Sequence, residues 1–508
     1  MSDNSSGTSL SKGKLGTAGI VFFVVAAAAP LLGMTGAVPV AMFLGNGAGA
    51  SGTYLAVGLL LALFAVGYSA MSQKVTNTGA FFAYVGRGLG RNAGVASAFA
   101  SIVGYVTIQL AIYGFFGGVM SFMVPGLPWY GWALVAWAVA TLLSLFSVDI
   151  GSKVLGVLMM LEVLVLVITA LAILVQNAGS IDFVAAFSPD AILAGGVTGT
   201  AGIAIAFAFA SFIGFEATAI YGEESKDPKR SVAKATFWAI GLITGLFAVV
   251  SLAMSTAMAS YSNPNAPEGF PNEGLYGYIA EFGGLDPAIG LTNPAGVLQH
   301  MADVSLGGTW MSTIMGYLVL TSCFAGILAF QNAISRYFFA MGRGGILPAS
   351  FANTNNSGAP KNGVILTSVL ALVIMIGFAA AGLDGIGNLF TWMSAITAVA
   401  IMFVEVLVSI AIMVYLRKDG TFNIWKSTIA PLLSAVGLAA GLYLLMSRFN
   451  LLGNLAAEGV DPTLPESAWM LSPMGWALVL SPFIAAVIGF VVAAATKSKR
   501  DLAADILS

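Results

Sequence analysis

Hydrophobic positions along this chain gather into long, nearly continuous runs separated by short polar stretches. A hydrocarbon layer of about 30 Å is crossed by roughly 20 apolar residues wound as a helix. Runs of that kind lie at 17–44, 52–72, 93–123, 129–148, 153–176, 195–221, 233–260, 307–335, 363–382, 388–416, 428–447 and 473–496, so the pattern predicts twelve spans, numbered 1 to 12 in chain order. Backbone facing lipid must satisfy its own hydrogen bonds, which makes the runs helices. A β-barrel would show short segments of alternating polarity instead. The first 14 residues are polar, and the apolar run behind them is too long for a leader and has no cleavage site, so no signal peptide is expected.

Composition agrees with the pattern. Of 508 residues, 58% are hydrophobic and 8% charged; a soluble domain carries about 25% charged residues. The apolar excess excludes a disordered chain. A net charge of −2 without a basic patch argues against a nucleic-acid partner. One cysteine, Cys323, excludes a disulfide scaffold, and one histidine, His300, leaves no set for a protein-held zinc. No metal or cofactor is expected, and the evident partner is the lipid bilayer.

Charge distribution sets the orientation. With the N-terminus inside, 19 of the 20 Lys and Arg residues fall in cytoplasmic segments, from Lys12 and Lys14 to Lys497, Lys499 and Arg500, and Arg448 alone falls outside. The outer loop at 261–306 carries Glu268, Glu273, Glu281, Asp286 and Asp303 but no Lys or Arg. The chain therefore divides into a cytoplasmic tail (1–14), a core of ten spans (15–420), two more spans (421–496) after the charged break from Arg417 to Lys426, and a cytoplasmic tail (497–508). The expected location is the cell membrane, multi-pass, with both termini in the cytoplasm.

Two spans have odd interiors. Span 1 reads Ala28-Ala29-Pro30-Leu31-Leu32-Gly33-Met34-Thr35-Gly36, then Pro39. Proline removes a donor and glycine weakens a helix, so a break near mid-membrane is expected. Span 6 reads Phe207-Ala208-Phe209-Ala210-Ser211-Phe212-Ile213-Gly214-Phe215-Glu216, with glycine, serine and an ionisable group at depth. If spans 1–5 and 6–10 are two repeats, spans 1 and 6 correspond, and an odd number of spans per half inverts the second. Paired interrupted helices point to a transporter binding site.

Three motifs carry a family likeness. Thr78-Gly79-Ala80-Phe81-Phe82-Ala83-Tyr84-Val85 with Gly90-Arg91 resembles the loop after span 2 in the amino acid–polyamine–organocation (APC) superfamily. Ser211 to Glu216, followed by Glu223-Glu224 and Lys226-Asp227-Pro228-Lys229-Arg230, resembles span 6 and the loop behind it. Ser335-Arg336-Tyr337-Phe338-Phe339-Ala340-Met341 through Gly345-Ile346-Leu347-Pro348 resembles the loop after span 8. The likeness covers roughly 15–420. It implies an all-α polytopic membrane protein with the LeuT-like 5+5 inverted-repeat fold, helices 1 and 6 broken, and secondary transport of amino acids or related amines.

A zwitterionic amino acid offers a carboxylate, suited to bare amides at a half-helix N-terminus, and an ammonium, suited to bare carbonyls at a half-helix C-terminus. Ala29, Pro30, Leu31, Leu32, Gly33 and Met34 of span 1 are the candidates for the first, and Phe207, Ala210, Ser211 and Gly214 of span 6 for the second. The alternative is that Pro30 and Gly33 are ordinary kinks and packing positions. The resemblance implies an aromatic residue in span 6 closing over the substrate. One branch has tryptophan directly before Ser-Phe-Ile-Gly, where this chain has Ala210; Phe207, a turn earlier, covers the same face or simply packs.

Three glutamates lie inside spans: Glu162, Glu216 and Glu405. A charged carboxylate at mid-membrane costs roughly 2.5–3.5 kcal/mol, so such residues face a cavity, pair up or hold a proton. Glu216 matches the glutamate of the family's span 6 motif, with proton sensing, fixing of the unwound segment, or a plain backbone hydrogen bond as its readings. The run from Gly151-Ser152-Lys153 to Glu162 resembles the start of the family's span 5, where many members carry lysine at the position of Glu162. A carboxylate there binds Na⁺, cycles H⁺, or pairs with another span; H⁺ is favoured. Glu405 has no role that the resemblance supplies and is a candidate for a polar pair. At the cytoplasmic side, Glu223, Glu224 and Arg230 with Arg87 form a candidate gate, or else a solvated loop in which Asp227-Pro228 starts span 7.

Gly86-Arg87-Gly88-Leu89-Gly90 follows no strand and lacks the phosphate-loop pattern. No His, Cys or Asp constellation lies in the spans, so an enzyme is not expected, nor is a channel filter visible. The sequence therefore predicts a secondary active permease for amino acids, proton-coupled and working by alternating access. A polyamine or small-amine importer and an exchanger are the alternatives.

Overall fold

The computed structural model describes residues 17–75, 81–146, 152–216, 218, 228–287, 289–355, 358–420 and 423–496. They are helical nearly throughout. In the loop at 261–306 Leu285–Asp286 pairs antiparallel with Gly290–Leu291, Leu285 opposite Leu291. Among the described residues nine helices are long and apolar enough to cross a membrane, or ten when the bent pair Pro189–Thr198 and Ala201–Phe212 counts as one crossing. One of the nine, Pro30–Ser72, is interrupted: Gly45 (φ −104°, ψ −119°) and Gly47 (φ 58°) separate the end of span 1 from the helix Ala50–Ser72, span 2. Trp129–Leu145, in span 4, is apolar but only 17 residues long.

Span 3 (Arg91–Met123) is the axis of the bundle. Of its most apolar stretch 83% is buried, against 28% for span 12 (Pro473–Ala495), whose outer face is left to lipid. Small residues let span 3 lie close to span 10 (Thr391–Asp419): a Cβ on Gly104 would stand 2.7 Å from Ile401 Cδ1. Thr107 Oγ1 and Thr397 Oγ1 meet at 2.8 Å across the same seam. A polar relay then ties span 3 to spans 8 and 9. Gln109 Nε2 donates to Gln331 Oε1 (2.6 Å), and Gln331 Nε2 donates to Ser368 Oγ (2.8 Å). Trp137 Nε1 of span 4 donates to the Ser368 carbonyl (2.9 Å). Such bonds average about 0.6 kcal/mol in a membrane, but they fix rotation, which apolar contacts alone do not.

Two of the motif segments read as loops are helices. Phe81–Leu89 is one, with Phe81, Phe82, Tyr84 and Val85 buried. Span 8 runs Trp310–Arg343, past 335, because Tyr337, Phe338, Ala340 and Met341 continue its buried face. Span 6 starts later than read, at Ala201, since Gly196–Thr198 is a separate 3₁₀ turn. Span 7 begins with Pro228 at its first position, as read; Asp227 lies outside the described residues.

Arg448, the cation that the charge pattern sets apart from the others, is buried. Its guanidinium donates to the carbonyls of Pro462 (2.7 Å) and Leu464 (2.9 Å), so it organises the loop between spans 11 and 12. Lys74 and Asp419 form a 3.1 Å ion pair joining the ends of spans 2 and 10. On the lipid side of Thr17–Ala27, between spans 5 and 7, lies an apolar groove of about 890 Å³ lined by Val21, Val25, Met160, Trp238, Gly245 and Leu246 among others.

Candidate substrate site

Span 1 is broken. The helix Thr17–Ala27 stops, Ala29 takes a left-handed conformation (φ 43°, ψ 68°), and helix resumes at Pro30. Proline dictates the place: it has no N–H to return to the carbonyl four residues back, and it pushes the preceding residue out of the right-handed region. Gly33 N–H closes on the Ala29 carbonyl at 3.0 Å, so Leu31 and Leu32 are the first-turn amides without an intrahelical acceptor. Wide π-type turns follow at Gly33–Ala37 and Ala41–Asn46, with the Thr35 hydroxyl donating to the Leu31 carbonyl at 2.7 Å. π-bulges of this kind cluster at functional sites.

Span 6 is broken too. The helix Ala201–Phe212 ends, Ile213 is extended, and Gly214 has φ 118°. A Cβ on Gly214 would sit 3.0 Å from Ala27 Cβ, so the two breaks abut directly. Glu216 Oε2 accepts the Gly214 N–H at 2.9 Å and the Tyr68 hydroxyl donates to the Glu216 carbonyl at 2.8 Å, which pins the turn. Upstream, Ser211 donates to the Phe207 carbonyl (2.7 Å) and meets the Tyr54 hydroxyl (3.1 Å). The last-turn carbonyls, Phe209 to Phe212, have no donor four residues on; those of Ala210 and Phe212 accept the Ile213 and Phe215 N–H groups at 3.3 Å, so Phe209 and Ser211 are the ones left for a ligand, the former within and the latter at the end of the stretch the sequence pointed to.

Between the breaks is a cavity of about 30 Å³, the room one water needs. An amino acid fits only when the walls part. Ala29, Leu32 and Gly33 line it from span 1, and Ala210, Ser211 and Ile213 from span 6. Pro30, Leu31, Met34, Phe207 and Gly214 are buried beside it without forming its wall. The rest of the wall comes from spans 3, 8 and 10: Ile108 and Ile112, Phe330, and Phe390 with Ser394. Phe390 is the aromatic wall that sequence reasoning missed; Phe207 stands behind it at 6.1 Å between ring centroids, and Phe115 at 5.0 Å. Among the described residues no charged side chain lines the cavity.

Glu162, 4% exposed, accepts a hydrogen bond from Ser322 Oγ of span 8 at 2.7 Å and faces the Leu31 amide. A span 5 carboxyl therefore stands against the restart of span 1. Neither Ser322 nor this meeting had a sequence signal. Glu405 of span 10 is fully buried within electrostatic reach of Glu216. In the candidate gate, Arg87 is half-buried and its Nε makes no hydrogen bond among the described residues. Arg230 is exposed at the start of span 7, and Glu223 and Glu224 lie outside the described residues. No group of three or more metal-ligating side chains occurs among the described residues.

A model of one family, described as amino acid permease, matches residues 26–501, beyond the ten-span core and through spans 11 and 12. The chain belongs to the amino acid permease family. Among its relatives, the branched-chain amino acid permease BcaP of Lactococcus lactis subsp. cremoris is 24% identical over 422 residues, covering 78% of this chain and 81% of that protein. The aromatic amino acid transport protein AroP of Escherichia coli K12 is 24% identical, covering 69% and 73%. The lysine-specific permease LysP of the same organism is 24% identical, covering 67% and 68%. A mutant of the manganese transporter of Eremococcus coleocola superposes on 97% of this permease and 99% of its own chain, with a TM-score of 0.56 at 13% identity. That likeness shows the fold, which is LeuT-like, as the paired breaks require. This permease is thus a polytopic membrane transporter.

Proposed function

We propose that this permease carries a neutral amino acid with an apolar side chain, held between the two breaks and moved by alternating access. The observation that carries the reading is the abutment of both breaks on one cavity without a charged wall. The carboxylate is taken by span 1 amides around Leu32, the ammonium by last-turn carbonyls of span 6, and the side chain by Ile108, Ile112, Phe330 and Phe390. A cationic side chain would find no counter-charge there. The relatives named for branched-chain and aromatic substrates fit this reading better than the lysine-specific one.

Uptake is driven by H⁺, with Glu162 and Glu216 as carriers. Glu162 favours H⁺ over Na⁺ because its neighbours include an amide, which presents a proton rather than a lone pair, whereas hard cations need several oxygen ligands. Entry is from the outside, with both termini in the cytoplasm and Arg87, Glu223, Glu224 and Arg230 at the inner mouth.

The test is counterflow in proteoliposomes with leucine, phenylalanine, lysine and putrescine. Leucine or phenylalanine should exchange and the two cationic compounds should not; exchange of lysine or putrescine alone overturns the substrate reading. In Glu162→Gln, counterflow should persist while accumulation under an acid-outside gradient is lost. Full accumulation in that variant removes Glu162 from the coupling.

A further inference from the structure

Four residues close one end of the cavity. Phe390 of span 10 has its ring centroid 5.0 Å from that of Phe115 in span 3 and 6.1 Å from that of Phe207 in span 6. Against the rings lies Gly36, in a π-type turn of span 1, where a Cβ would stand 2.8 Å from Phe115 Cε2 and 3.2 Å from Phe390 Cζ. All four residues are buried. Each stands one helical turn, about 5 Å, from a wall residue of its own span: Gly36 after Gly33, Phe115 after Ile112, Phe207 before Ser211 and Phe390 before Ser394. Spans 1 and 3 reach this layer past the wall, and spans 6 and 10 reach it ahead of the wall, as rods of opposite direction must. The layer therefore lies away from the junction of Gly214 with Ala27, and on the orientation proposed above it faces outward.

Of the four, Phe390 alone also forms the cavity wall, so its ring stands between the cavity and the two rings behind it. The other aromatic wall residue, Phe330, is held differently. It sits inside the α-helix Trp310–Arg343, next to Gln331, whose amide is bonded to Gln109 (2.6 Å), Ser368 Oγ (2.8 Å) and the Val364 carbonyl (3.1 Å). Phe390 instead ends the π-type segment Gly385–Phe390, just ahead of the α-helix that starts at Thr391. That segment hangs from Asp384, whose Oδ1 accepts the amides of Ile386 (2.8 Å) and Gly387 (2.6 Å). Bare glycines let the surroundings press on it: a Cβ on Gly385 would stand 2.9 Å from the Trp129 ring, and one on Gly387 2.6 Å from the Ile289 carbonyl oxygen. Turns of this kind are rare and recur at functional sites. The cavity has to widen for an amino acid, and Phe390 is the bulky wall residue that stands on a turn outside the regular helix, against a surface at Gly36 that has no side chain to catch on.

We propose that Phe390 of span 10, rather than an aromatic residue of span 6, closes over the bound amino acid and limits the size of the side chain admitted. This assignment rests on the substrate reading above and adds its closing residue. The substrate side chain presses on the Phe390 ring, and that ring packs on Phe115 and Phe207, which exclude water from the outer end. Phe207 supports the lid without touching the substrate. When the start of span 10 moves off Gly36, the rings part and the cavity opens outward.

The experiment uses the full chain with Cys323→Ala and the reporter Ser394→Cys, probed in intact cells by a membrane-impermeant, positively charged methanethiosulfonate. Labelling should speed up about tenfold or more when Phe390→Ala is added, and by less with Phe390→Leu, which keeps an apolar lid of smaller size. With Phe207→Ala it should stay within about threefold of the parent, since the lid itself remains. No acceleration in Phe390→Ala, or an equal one in Phe207→Ala, overturns the assignment. Acceleration seen only in inside-out vesicles overturns the outward placement. In proteoliposome counterflow on the original background, Phe390→Ala should raise the KM for leucine by about tenfold, the scale set by losing contact with a buried phenyl ring, with the maximal rate changed less. Tryptophan should gain on leucine in the same variant, and Phe390→Leu should recover part of the leucine KM. An unchanged ratio of leucine to tryptophan exchange removes Phe390 from the choice of substrate size. If no neutral amino acid exchanges but the labelling behaves as stated, the substrate reading fails and the lid stands.

Discussion

Gly214 answers two demands at one position. Its φ of 118° belongs to glycine, and its missing side chain leaves room for Ala27 at the facing break. Gly214→Ala brings both costs, a strained backbone of about 1–3 kcal/mol and a crowded junction. Counterflow should fall at least tenfold, with thermal unfolding in detergent shifted down; activity within twofold of the original would show that the breaks tolerate separation. Some site residues were readable one by one. Pro30 and Gly214 announce themselves because each alters the backbone whatever surrounds it. Phe390, Ser322 and Ile108 did not, since nothing local distinguishes them from lipid-facing or packing residues, and only the meeting of distant spans gives them a role.

Elements were legible where lipid dictates them and less so where protein does. The long apolar runs became helices because the bilayer leaves the backbone no other solution. The segments Phe81–Leu89 and Ser335–Arg343 look like loops by their polar and glycine residues, yet they are helices. Their buried residues recur at three- and four-residue spacing, Phe81, Tyr84 and Val85 in one and Tyr337, Ala340 and Met341 in the other, and pack against the bundle. The loop helix Ala295–Leu306 shows the same dependence on context. Its His300 stacks on Phe282 with ring centroids 3.6 Å apart, and Nδ1 meets the Tyr278 hydroxyl at 2.7 Å. Burial lowers the His300 pKa, against the pull of Asp303 and Glu281. The unfolded histidine, near 6.5, binds its proton more readily than the folded one. Protection of 295–306 in hydrogen exchange should therefore be full above about pH 6.5 and decline as pH falls below it toward the folded value. In His300→Phe that decline should vanish; an unchanged decline would assign the effect to another group.

At the scale of the molecule, span 3 is held by the Gln109–Gln331–Ser368 relay and by its seam with span 10, whereas Thr17–Ala27 borders the open apolar groove beside spans 5 and 7. A short rod anchored at one end by Ala29, with slack along its flank, can pivot while the remaining bundle keeps its packing. The side chain at position 245 is a fair wedge for that slack, because a Cβ added to Gly245 meets nothing within 4 Å. Gly245→Trp should leave thermal unfolding unchanged and slow counterflow by tenfold or more, and undiminished exchange would place the pivot elsewhere. Since acyl chains are the natural filling of such a recess, the bilayer itself becomes a working part, like a spring pressed against a door: thicker or stiffer lipids should set the tempo of the swing.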